Sequence, residues 1–362
     1  MLPELHITTD ACFLSNPYAT DLFLDHFRQE LFQSDRIRRV LEFYPSQNSM
    51  IADYLSTVLN LGRDYIFIAN GAIEAIQAVM HNFAGQKTLI NIPSFSSYYE
   101  FCKSSTRVLY YQLEKKNDFV LVPREYTRYV KEKKPDSIVL INPNNPDGGY
   151  IRYEDLHHII SSLREVQSII IDESFIHFAF EDEQCNVKSA VDLVREFPNL
   201  IVIKSMSKDF GVAGIRAGYA VMNKNRVSSL LKNGYLWNSN GISEFFFKLY
   251  SKPEFHRKYD LVRKKYISEV QSFFRGLSDI REIKTYPSKA NFALIELLDG
   301  SRSSDFVAKM LTAHGIYTRT CSDKKGLAGE FVRIAARTKA ENEMILDAVK
   351  DVITGSDHAH PS

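Results

Sequence analysis

The stretch Ile201-Val202-Ile203-Lys204-Ser205-Met206-Ser207-Lys208-Asp209-Phe210-Gly211-Val212-Ala213-Gly214-Ile215-Arg216-Ala217-Gly218-Tyr219 decides the fold and the chemistry expected of this chain. An apolar run, Leu200 to Ile203, predicts a buried strand, and a turn with hydroxyl groups and glycines follows it. Lys208 in that turn could form a Schiff base with an aldehyde, while Ser205, Ser207 and Arg216 could hold a phosphate. A lysine after a strand is more often a solvated surface charge. The choice between these roles therefore depends on the rest of the chain.

A second motif is the apolar run that ends in an acid, I-I-I-D-E-S-F at Ile169 to Phe175. Open α/β sheets bind ligands at the carboxyl ends of their strands. Asp172 could there pair with the protonated nitrogen of a cofactor ring. The alternative is that Asp172 and Glu173 only cap the following segment.

A third motif is the cluster I-N-P-N-N-P-D-G-G at 141–149, directly after the predicted strand Ser137 to Leu140. Such a cluster of proline, asparagine and glycine predicts a tight turn. An asparagine side chain held in that turn could also donate a hydrogen bond to a phenolic oxygen on a cofactor ring.

Two weaker motifs precede these. The segment Ile66 to Ile76 predicts a strand, a glycine turn and a helix, and the small residues Gly71 and Ala72 would let an anion approach the helix N-terminus. In the segment 93–98, Phe95 or Tyr98 could stack on a flat ring, although aromatic residues after strands more often belong to the core.

Taken in order, these motifs resemble the pyridoxal-phosphate enzymes of fold type I, in the aminotransferase class I/II family, and especially histidinol-phosphate aminotransferase and threonine-phosphate decarboxylase. The resemblance implies an α/β fold. Its large domain would contain a mostly parallel seven-stranded sheet covered by helices, and a smaller α+β domain would follow at the C-terminus.

The resemblance also implies the residues that bind the cofactor, pyridoxal 5′-phosphate. Lys208 would form the internal aldimine, Asp172 would pair with the ring nitrogen, and Asn145 would bind the ring oxygen. Phe95 would stack on the ring. The implied phosphate ligands are Gly71, Ala72, Ile73, Ser205, Ser207 and Arg216.

Tyr44, in Phe43-Tyr44-Pro45, matches a tyrosine that in the family reaches the phosphate of the neighbouring subunit's cofactor. This match implies a homodimer with shared active sites. The alternative is a plain Tyr-Pro turn.

The resemblance further implies that Arg333 grips the substrate carboxylate, and it matches Arg337 and Arg319 to arginines of the decarboxylases. Asn16 completes the predicted substrate-binding set. Arg333 and Arg337 would face the same side of a strand if that strand ran through Arg337. Arg337 and Arg319 could instead be surface charges.

The chain departs from the family pattern at three positions. Phe175 replaces a tyrosine that hydrogen-bonds the ring oxygen in many aminotransferases, whereas threonine-phosphate decarboxylases also have phenylalanine there. Asp147 replaces a threonine, and Ile73 replaces an acidic residue. These departures affect how the cofactor is held but remove none of the implied catalytic groups.

The resemblance predicts an aminotransferase that acts on a small amino acid or amino-alcohol phosphate, with glutamate as its partner, because transamination is the commonest chemistry on this fold. Lys208 would suffice as the proton shuttle. The alternative, supported by Phe175, Arg319 and Arg337, is a phospho-amino-acid decarboxylase specific for threonine phosphate or serine phosphate. A catalytically silent module that binds the cofactor is a third interpretation.

The composition agrees with a soluble cytoplasmic enzyme. The 362 residues are enough for two domains, and the formal net charge of +1 gives no electrostatic reason to expect a nucleic-acid or membrane partner. The four cysteines lack C-x-x-C spacing, so neither a disulfide framework nor a metal site is expected. The N-terminus has no apolar signal core, and no apolar stretch reaches membrane length.

We predict an N-terminal arm, residues 1–40, that packs with the small domain, a large cofactor-binding domain, 41–252, and a small C-terminal domain, 253–362. Pro253 should open a long helix to about Leu277, and the last helix should place Met344, Ile345, Ala348 and Val352 on one apolar face. The strands predicted for the large domain are Asp64 to Ala69, Lys87 to Ile92, Arg107 to Tyr111, Ser137 to Ile141, Ser168 to Ile171, Leu200 to Lys204 and Ala217 to Met222. Those predicted for the small domain lie near Ile283 and at Ala290 to Glu296, Ile316 to Arg319 and Glu330 to Ala335.

Overall fold

The computed structural model describes residues 6–34 and 36–355. The ends of the predicted arm and of the predicted small domain, residues 1–5 and 356–362, lie outside the described residues.

The strands in this part of the chain are β1 (Thr9–Asp10), β2 (Ile66–Asn70), β3 (Lys87–Ile92), β4 (Arg107–Gln112), β5 (Ser137–Ile141), β6 (Ser168–Asp172), β7 (Leu200–Ser205), β8 (Ala217–Met222), β9 (Ile283–Thr285), β10 (Phe292–Leu297), β11 (Ile316–Tyr317), β12 (Arg319–Thr320) and β13 (Phe331–Ala335). The α-helices are α1 (Pro17–Phe27), α2 (Ile37–Glu42), α3 (Asn48–Leu59), α4 (Ala72–Phe83), α5 (Ser97–Glu100), α6 (Pro123–Lys133), α7 (Tyr153–Ser162), α8 (Lys224–Lys232), α9 (Gly241–Tyr250), α10 (Pro253–Ser278), α11 (Ser303–His314) and α12 (Lys339–Thr354).

The larger sheet has the strand order β2-β8-β7-β6-β5-β3-β4 and is parallel except for β8, which runs antiparallel to both neighbours. Its strands are apolar runs because helices cover both faces. In β6, for example, Ile169 and Ile171 join one hydrophobic cluster and Ile170 joins the cluster on the opposite face. The prediction of seven strands in a mostly parallel sheet is confirmed, with strand ends within two residues of those predicted.

The smaller sheet has the order β12-β13-β10-β9 and is antiparallel. Helices α10 and α12 supply apolar side chains to the core against it. The predicted strand Ile316 to Arg319 is divided in two, because β11 pairs with β1 near the N-terminus while β12 pairs with β13. The prediction for Met344 is wrong: 52% of it is exposed, since the buried face of α12 follows a three-and-four spacing through Ile345 and Ala348 that excludes it.

The register of the larger sheet brings polar groups together at one edge. Asp172, the last residue of β6, lies between Ile141 of β5 and Ile203 of β7. On the antiparallel strand β8, Gly218 pairs with Ser205. A Cβ atom on Gly218 would lie 2.6 Å from the backbone nitrogen of Ala72, so only glycine lets the start of α4 approach this edge.

A buried ion pair joins the end of β7 to the turn that follows it. The Lys204 ammonium group donates a hydrogen bond to the Asp209 carboxylate, and Asp209 is 0% exposed. The two residues lie next to Ser205 and Lys208, so the pair fixes the backbone from which the predicted site residues project.

We expect Asp209→Ala to lower the free energy of unfolding by about 3–5 kcal/mol, because it leaves the Lys204 charge buried without a partner. Denaturant unfolding would measure this loss. The double variant Lys204→Met with Asp209→Leu removes both charges and should recover most of the stability. A double variant as unstable as the single one would contradict this account of the pair.

Candidate active site

A cavity of about 260 Å³ lies where β5, β6 and β7 end. It brings together most of the residues that the sequence motifs predict. The predicted site residues that line it are Ala72, Ile73, Phe95, Asn145, Asp172, Ser205, Ser207, Lys208, Arg216 and Arg333. The other lining residues are Cys12, Phe13, Leu14, Ile76, Ile141, Ser174 and Phe175.

Lys208 is the amine of this cavity. Burial lowers its pKa to about 8, and the positive charges of Arg333 and Arg216 act in the same direction. Its backbone carbonyl accepts a hydrogen bond from the backbone N–H of Asn16 at 2.8 Å. An amine with this pKa is substantially neutral near pH 8 and is then a competent nucleophile.

Asp172 is the buried carboxylate of the cavity. Its Oδ2 accepts a hydrogen bond from the Tyr98 hydroxyl at 2.7 Å, and its Oδ1 accepts one from the Ser174 amide at 2.8 Å. Burial raises its pKa. The sequence offered Tyr98 only as an alternative to Phe95 for stacking on a ring; in the structure Phe95 lines the cavity and Tyr98 orients Asp172.

Arg333 and Asn145 are joined across the two sheets. Nη1 of Arg333 donates to Oδ1 of Asn145 at 2.7 Å, and Nη2 donates to the carbonyl of Cys12 at 3.0 Å. Because the amide oxygen of Asn145 is engaged, its Nδ2 is left to donate to a ligand. Nε of Arg333 is buried and has no hydrogen-bond acceptor.

Several of the predicted phosphate ligands lie at the start of α4 and in the turn before β8. Gly71 has φ +80°, and a Cβ atom on it would lie 2.4 Å from Nη2 of Arg216. Arg216 adopts a left-handed conformation, φ +56°, and its Nη1 donates to the Ala213 carbonyl at 3.0 Å. Gly71 thus leaves the space in which the Arg216 guanidinium lies beside the backbone N–H groups of the helix.

Arg337 lies beyond the end of the strand that carries Arg333. Strand β13 ends at Ala335, so the condition for Arg337 to share a strand face with Arg333 is not met. Nη1 of Arg337 lies 3.4 Å from Oγ of Ser15, and its Nε lies 3.5 Å from Oε1 of Glu341. Arg337 is not among the residues that line the cavity.

Arg319 pairs with Arg333 across the smaller sheet, and its Nη2 donates to Asp323 at 2.9 Å. It does not line the cavity, but its charge acts on two residues that do. Burial lowers the pKa of Arg333, and the charge of Arg319 adds to that effect. Burial raises the pKa of Cys12, and the charge of Arg319 offsets part of that rise. Asn16 is 0% exposed, and its Nδ2 has no hydrogen-bond partner.

Tyr44 lies outside the cavity. It is 89% exposed, and its ring centroid is 6.0 Å from that of Trp237. The predicted contact with a neighbouring subunit stays a prediction.

The sequence motifs missed the wall formed by Cys12, Phe13 and Leu14. This segment is held between the sheets because the amide of Ala11 donates to Tyr317 and the carbonyl of Ala11 accepts from Ala335, both at 2.8 Å. The contact between Cys12 and Arg333 spans 321 residues of sequence. No local pattern signals a contact over that separation.

The family model for aminotransferase class I and II matches residues 24–349. The chain belongs to the aminotransferase class I and II family. It is a pyridoxal-phosphate enzyme of fold type I, which confirms the predicted family, fold and cofactor.

Three similar proteins refine the comparison. The chain is 60% identical to the L-serine phosphate decarboxylase of Campylobacter jejuni, over 97% of this chain and 90% of that protein. It is 42% identical to a decarboxylase from Sulfurospirillum multivorans of solved structure, with a TM-score of 0.94 over 98% of this chain and 90% of that one. It is 28% identical to the histidinol-phosphate aminotransferase structure from Clostridium acetobutylicum, with a TM-score of 0.83 over 96% and 99% of the two chains.

The side chains present in the cavity fit pyridoxal phosphate. Lys208 offers an amine, Asp172 an acceptor for a ring nitrogen, and Asn145 a donor for a ring oxygen. Ser205 and Arg216 lie at the end of the cavity where Gly71 keeps the helix N-terminus open. A Cβ atom on Gly71 would lie 2.4 Å from the Arg216 guanidinium, so glycine lets this cation lie beside the N–H groups at the start of α4, and that combination suits an anion.

Metal-binding groups and membrane-spanning helices were also considered in the sequence predictions. Among residues 6–34 and 36–355, no group of three or more His, Cys, Asp or Glu side chains is arranged to hold a metal ion. In the same part of the chain, every helix is too short or too polar to serve as a membrane span.

Because the pKa of Lys208 is lowered to about 8, we expect the rate at which cofactor-free enzyme takes up pyridoxal phosphate to rise about tenfold per pH unit as the pH approaches 8 from below, with a plateau above it. The neutral amine is the reactive form, and its fraction rises with pH until the pKa is passed. Stopped-flow absorbance would follow the uptake. In Arg333→Met a neighbouring positive charge is lost, so the midpoint should move to higher pH; an unmoved midpoint would count against the assignment.

Proposed function

We propose that this enzyme decarboxylates phospho-L-serine to O-phosphoethanolamine and carbon dioxide. The observation that carries the proposal is the cavity in which Lys208 and Asp172 lie beside Arg333, whose Nε is buried without an acceptor. Unpartnered buried donors favour an anionic ligand, since they gain the hydrogen bonds that the protein does not supply. The 60% identity to an L-serine phosphate decarboxylase supports the choice of substrate.

The alternative among the sequence predictions is thus better supported than the main one. Transamination rests on more distant similarity, at 28% identity to a histidinol-phosphate aminotransferase. Phe175 agrees with the decarboxylase interpretation, because it offers no hydroxyl to a cofactor oxygen. It packs instead against Phe292, with ring centroids 5.2 Å apart.

In the proposed reaction, pyridoxal phosphate supplies the electron-withdrawing ring that stabilises negative charge on the substrate α-carbon. Asp172, held by Tyr98 and Ser174, keeps the ring nitrogen protonated. Asn145 would donate to the ring oxygen. Ser205, Ser207 and Arg216 would bind the cofactor phosphate together with the N–H groups of Ala72 and Ile73.

The bond that breaks joins the α-carbon to the carboxylate, and its electron pair stays with the carbon. One proton must then be delivered to that carbon from the protein. Lys208, with a pKa of about 8, holds a proton at neutral pH and gives it up readily. We therefore assign the proton delivery to the Lys208 ammonium group.

The substrate carries a carboxylate and a phosphate, and the proposed ligands are the cationic and amide donors around β13. Arg333 lines the cavity, and Arg319 stands opposite it in the register. Asn16 contributes an unpartnered Nδ2 from the N-terminal segment. Arg337 lies two residues beyond the end of β13 and contacts Ser15 and Glu341, so we assign it to support of that segment and not to direct contact with substrate.

We also propose that the enzyme is a homodimer in which Tyr44 reaches the cofactor phosphate of the partner subunit. Its 89% exposure supports the proposal, because an aromatic side chain so exposed lacks burial within its own chain.

The decisive experiment incubates the purified holoenzyme with phospho-L-serine and separates carbon dioxide from keto-acid product. We expect equal amounts of carbon dioxide and O-phosphoethanolamine without added keto acid. Borohydride reduction should leave a pyridoxyl group on Lys208, detected by mass spectrometry. Product formation that requires 2-oxoglutarate, with no carbon dioxide, would establish a transaminase instead.

We expect Arg319→Ala to lower kcat/KM for phospho-L-serine about 30- to 150-fold, because a charge-assisted contact is worth about 2–3 kcal/mol. L-Serine, which lacks the phosphate, should lose little. Arg337→Ala is the matched control and should affect both substrates equally and less. The assignment would be reversed if Arg337→Ala showed the selective loss and Arg319→Ala did not.

A further inference from the structure

The loop that carries Asn145 has a second, smaller cavity behind it. The cavity has a volume of about 20 Å³, room for one particle of the size of a water molecule. Asn91 near the end of β3, Asn144 and Asp147 of the loop, and Tyr150, whose hydroxyl donates to Glu181, are its polar lining residues. Loop residues 144 and 147 flank Asn145, so whatever fills this cavity bears on the position of that amide.

Asp147 is a buried carboxylate without a cation. It is 1% exposed, its Oδ1 accepts from the Gly149 amide at 2.7 Å, and its Oδ2 accepts from Nδ2 of Asn144. Within the described residues no lysine, arginine or histidine forms an ion pair with it. Burial raises its pKa to about 6, so it is still mostly ionised at neutral pH. A buried charge in a protein is normally paired or coordinates an ion.

The two asparagines provide the independent second observation. Oδ1 of Asn91 and Oδ1 of Asn144 are buried and have no hydrogen-bond donor, and the residues are 2% and 4% exposed. The orientation of Asn144 is fixed, since its Nδ2 donates to the Pro93 carbonyl and to Asp147. The cavity thus has unsatisfied oxygen acceptors and one negative charge.

We propose that this cavity is a monovalent-cation site for an ion of the size of K⁺, bound by Asn91, Asn144 and Asp147. Amide and carboxylate oxygens are the ligands that hard cations take. One carboxylate balances one positive charge, whereas a divalent ion would leave an excess charge buried. K⁺ is close in size to a water molecule, and Na⁺ is smaller, so K⁺ fits the space better.

The cation would bind loop residues Asn144 and Asp147 in the smaller cavity, while Arg333 binds Asn145 in the cofactor cavity. This consequence for the cofactor depends on the role proposed for Asn145. The site itself does not, because Asn91, Asn144 and Asp147 line the smaller cavity and are not among the residues that line the cofactor cavity.

The first test measures thermal unfolding of the holoenzyme in potassium, rubidium, sodium or tetramethylammonium chloride at one ionic strength. We expect the midpoint in K⁺ or Rb⁺ to exceed that in tetramethylammonium by about 2–4 °C. Crystals soaked in rubidium chloride should show an anomalous peak between Asn91, Asn144 and Asp147. Identical midpoints in all salts, together with an ordinary water at this place, would overturn the proposal. A midpoint that changes with pH through protonation of Asp147 but does not change with the cation would overturn it as well.

The second test uses Asn91→Leu, which is nearly isosteric and breaks no hydrogen bond of the Asn91 side chain that the structure contains. If the cavity holds no ion, this variant removes an unsatisfied buried amide and should unfold at the same or a higher temperature in every salt. If it holds K⁺, the variant should unfold earlier in K⁺ and require about tenfold more K⁺ for half of the remaining stabilisation. Ser243→Ala, which removes another buried and unpartnered oxygen, is the control and should keep the wild-type K⁺ dependence.

The readouts of this proposal and of the proposed function are separable. A salt-dependent midpoint with no decarboxylase activity would leave the ion site standing. Decarboxylation with a salt-independent midpoint and no rubidium peak would leave the function standing and remove the site.

Discussion

An excess of positive charge in the active-site cavity determines which ligands this molecule favours and how its lysine titrates. Lys208, Arg216 and Arg333 share the cavity with one carboxylate, Asp172, and burial together with the two guanidinium charges lowers the pKa of the lysine. Charges taken from water cost free energy until counter-charges reach them. The bound cofactor phosphate and an anionic substrate would supply them. Ligand binding and the pKa of Lys208 therefore depend on the same set of charges. A substitution at any of these side chains should change both.

The fold produces this arrangement by ending three parallel strands at one edge and closing the edge with a distant segment. The register sets Asp172 between its neighbours in β5 and β7, and the buried pair Lys204–Asp209 fixes the turn that carries Lys208. The N-terminal segment then joins both halves, because Asn16 binds the Lys208 backbone and Cys12 binds Arg333. Losing that segment would open the cavity to water and weaken every charge interaction inside it.

How far the sequence predicts this molecule depends on the range of the interaction. The strands of the larger sheet and the lining residues of its turns were predictable, because apolar runs and turn residues are local signals. Tyr98 as the support of Asp172, and the wall at Cys12, were not, since both depend on tertiary contacts. The condition for Arg333 and Arg337 to share a strand face is not met, because β13 ends at Ala335, two residues before Arg337. Decarboxylation as the favoured reaction came from the comparison with a relative at 60% identity, since a shared fold does not select among reactions.

Because residue 175 is phenylalanine, the position of Asn145 matters more for how the cofactor ring would be held. A tyrosine there would add a second donor to the cofactor oxygen, but this side chain packs into the core of the smaller sheet beside Phe292. In the role proposed for Asn145, the hydrogen bond to the ring oxygen would then depend on its amide, whose oxygen accepts from Arg333 at 2.7 Å. Arg333 is thus proposed to orient the cofactor and to bind substrate with the same guanidinium. Substrate binding at Arg333 would therefore alter the hydrogen bond that polarises the ring, which links recognition of the anion to activation of the carbon that reacts.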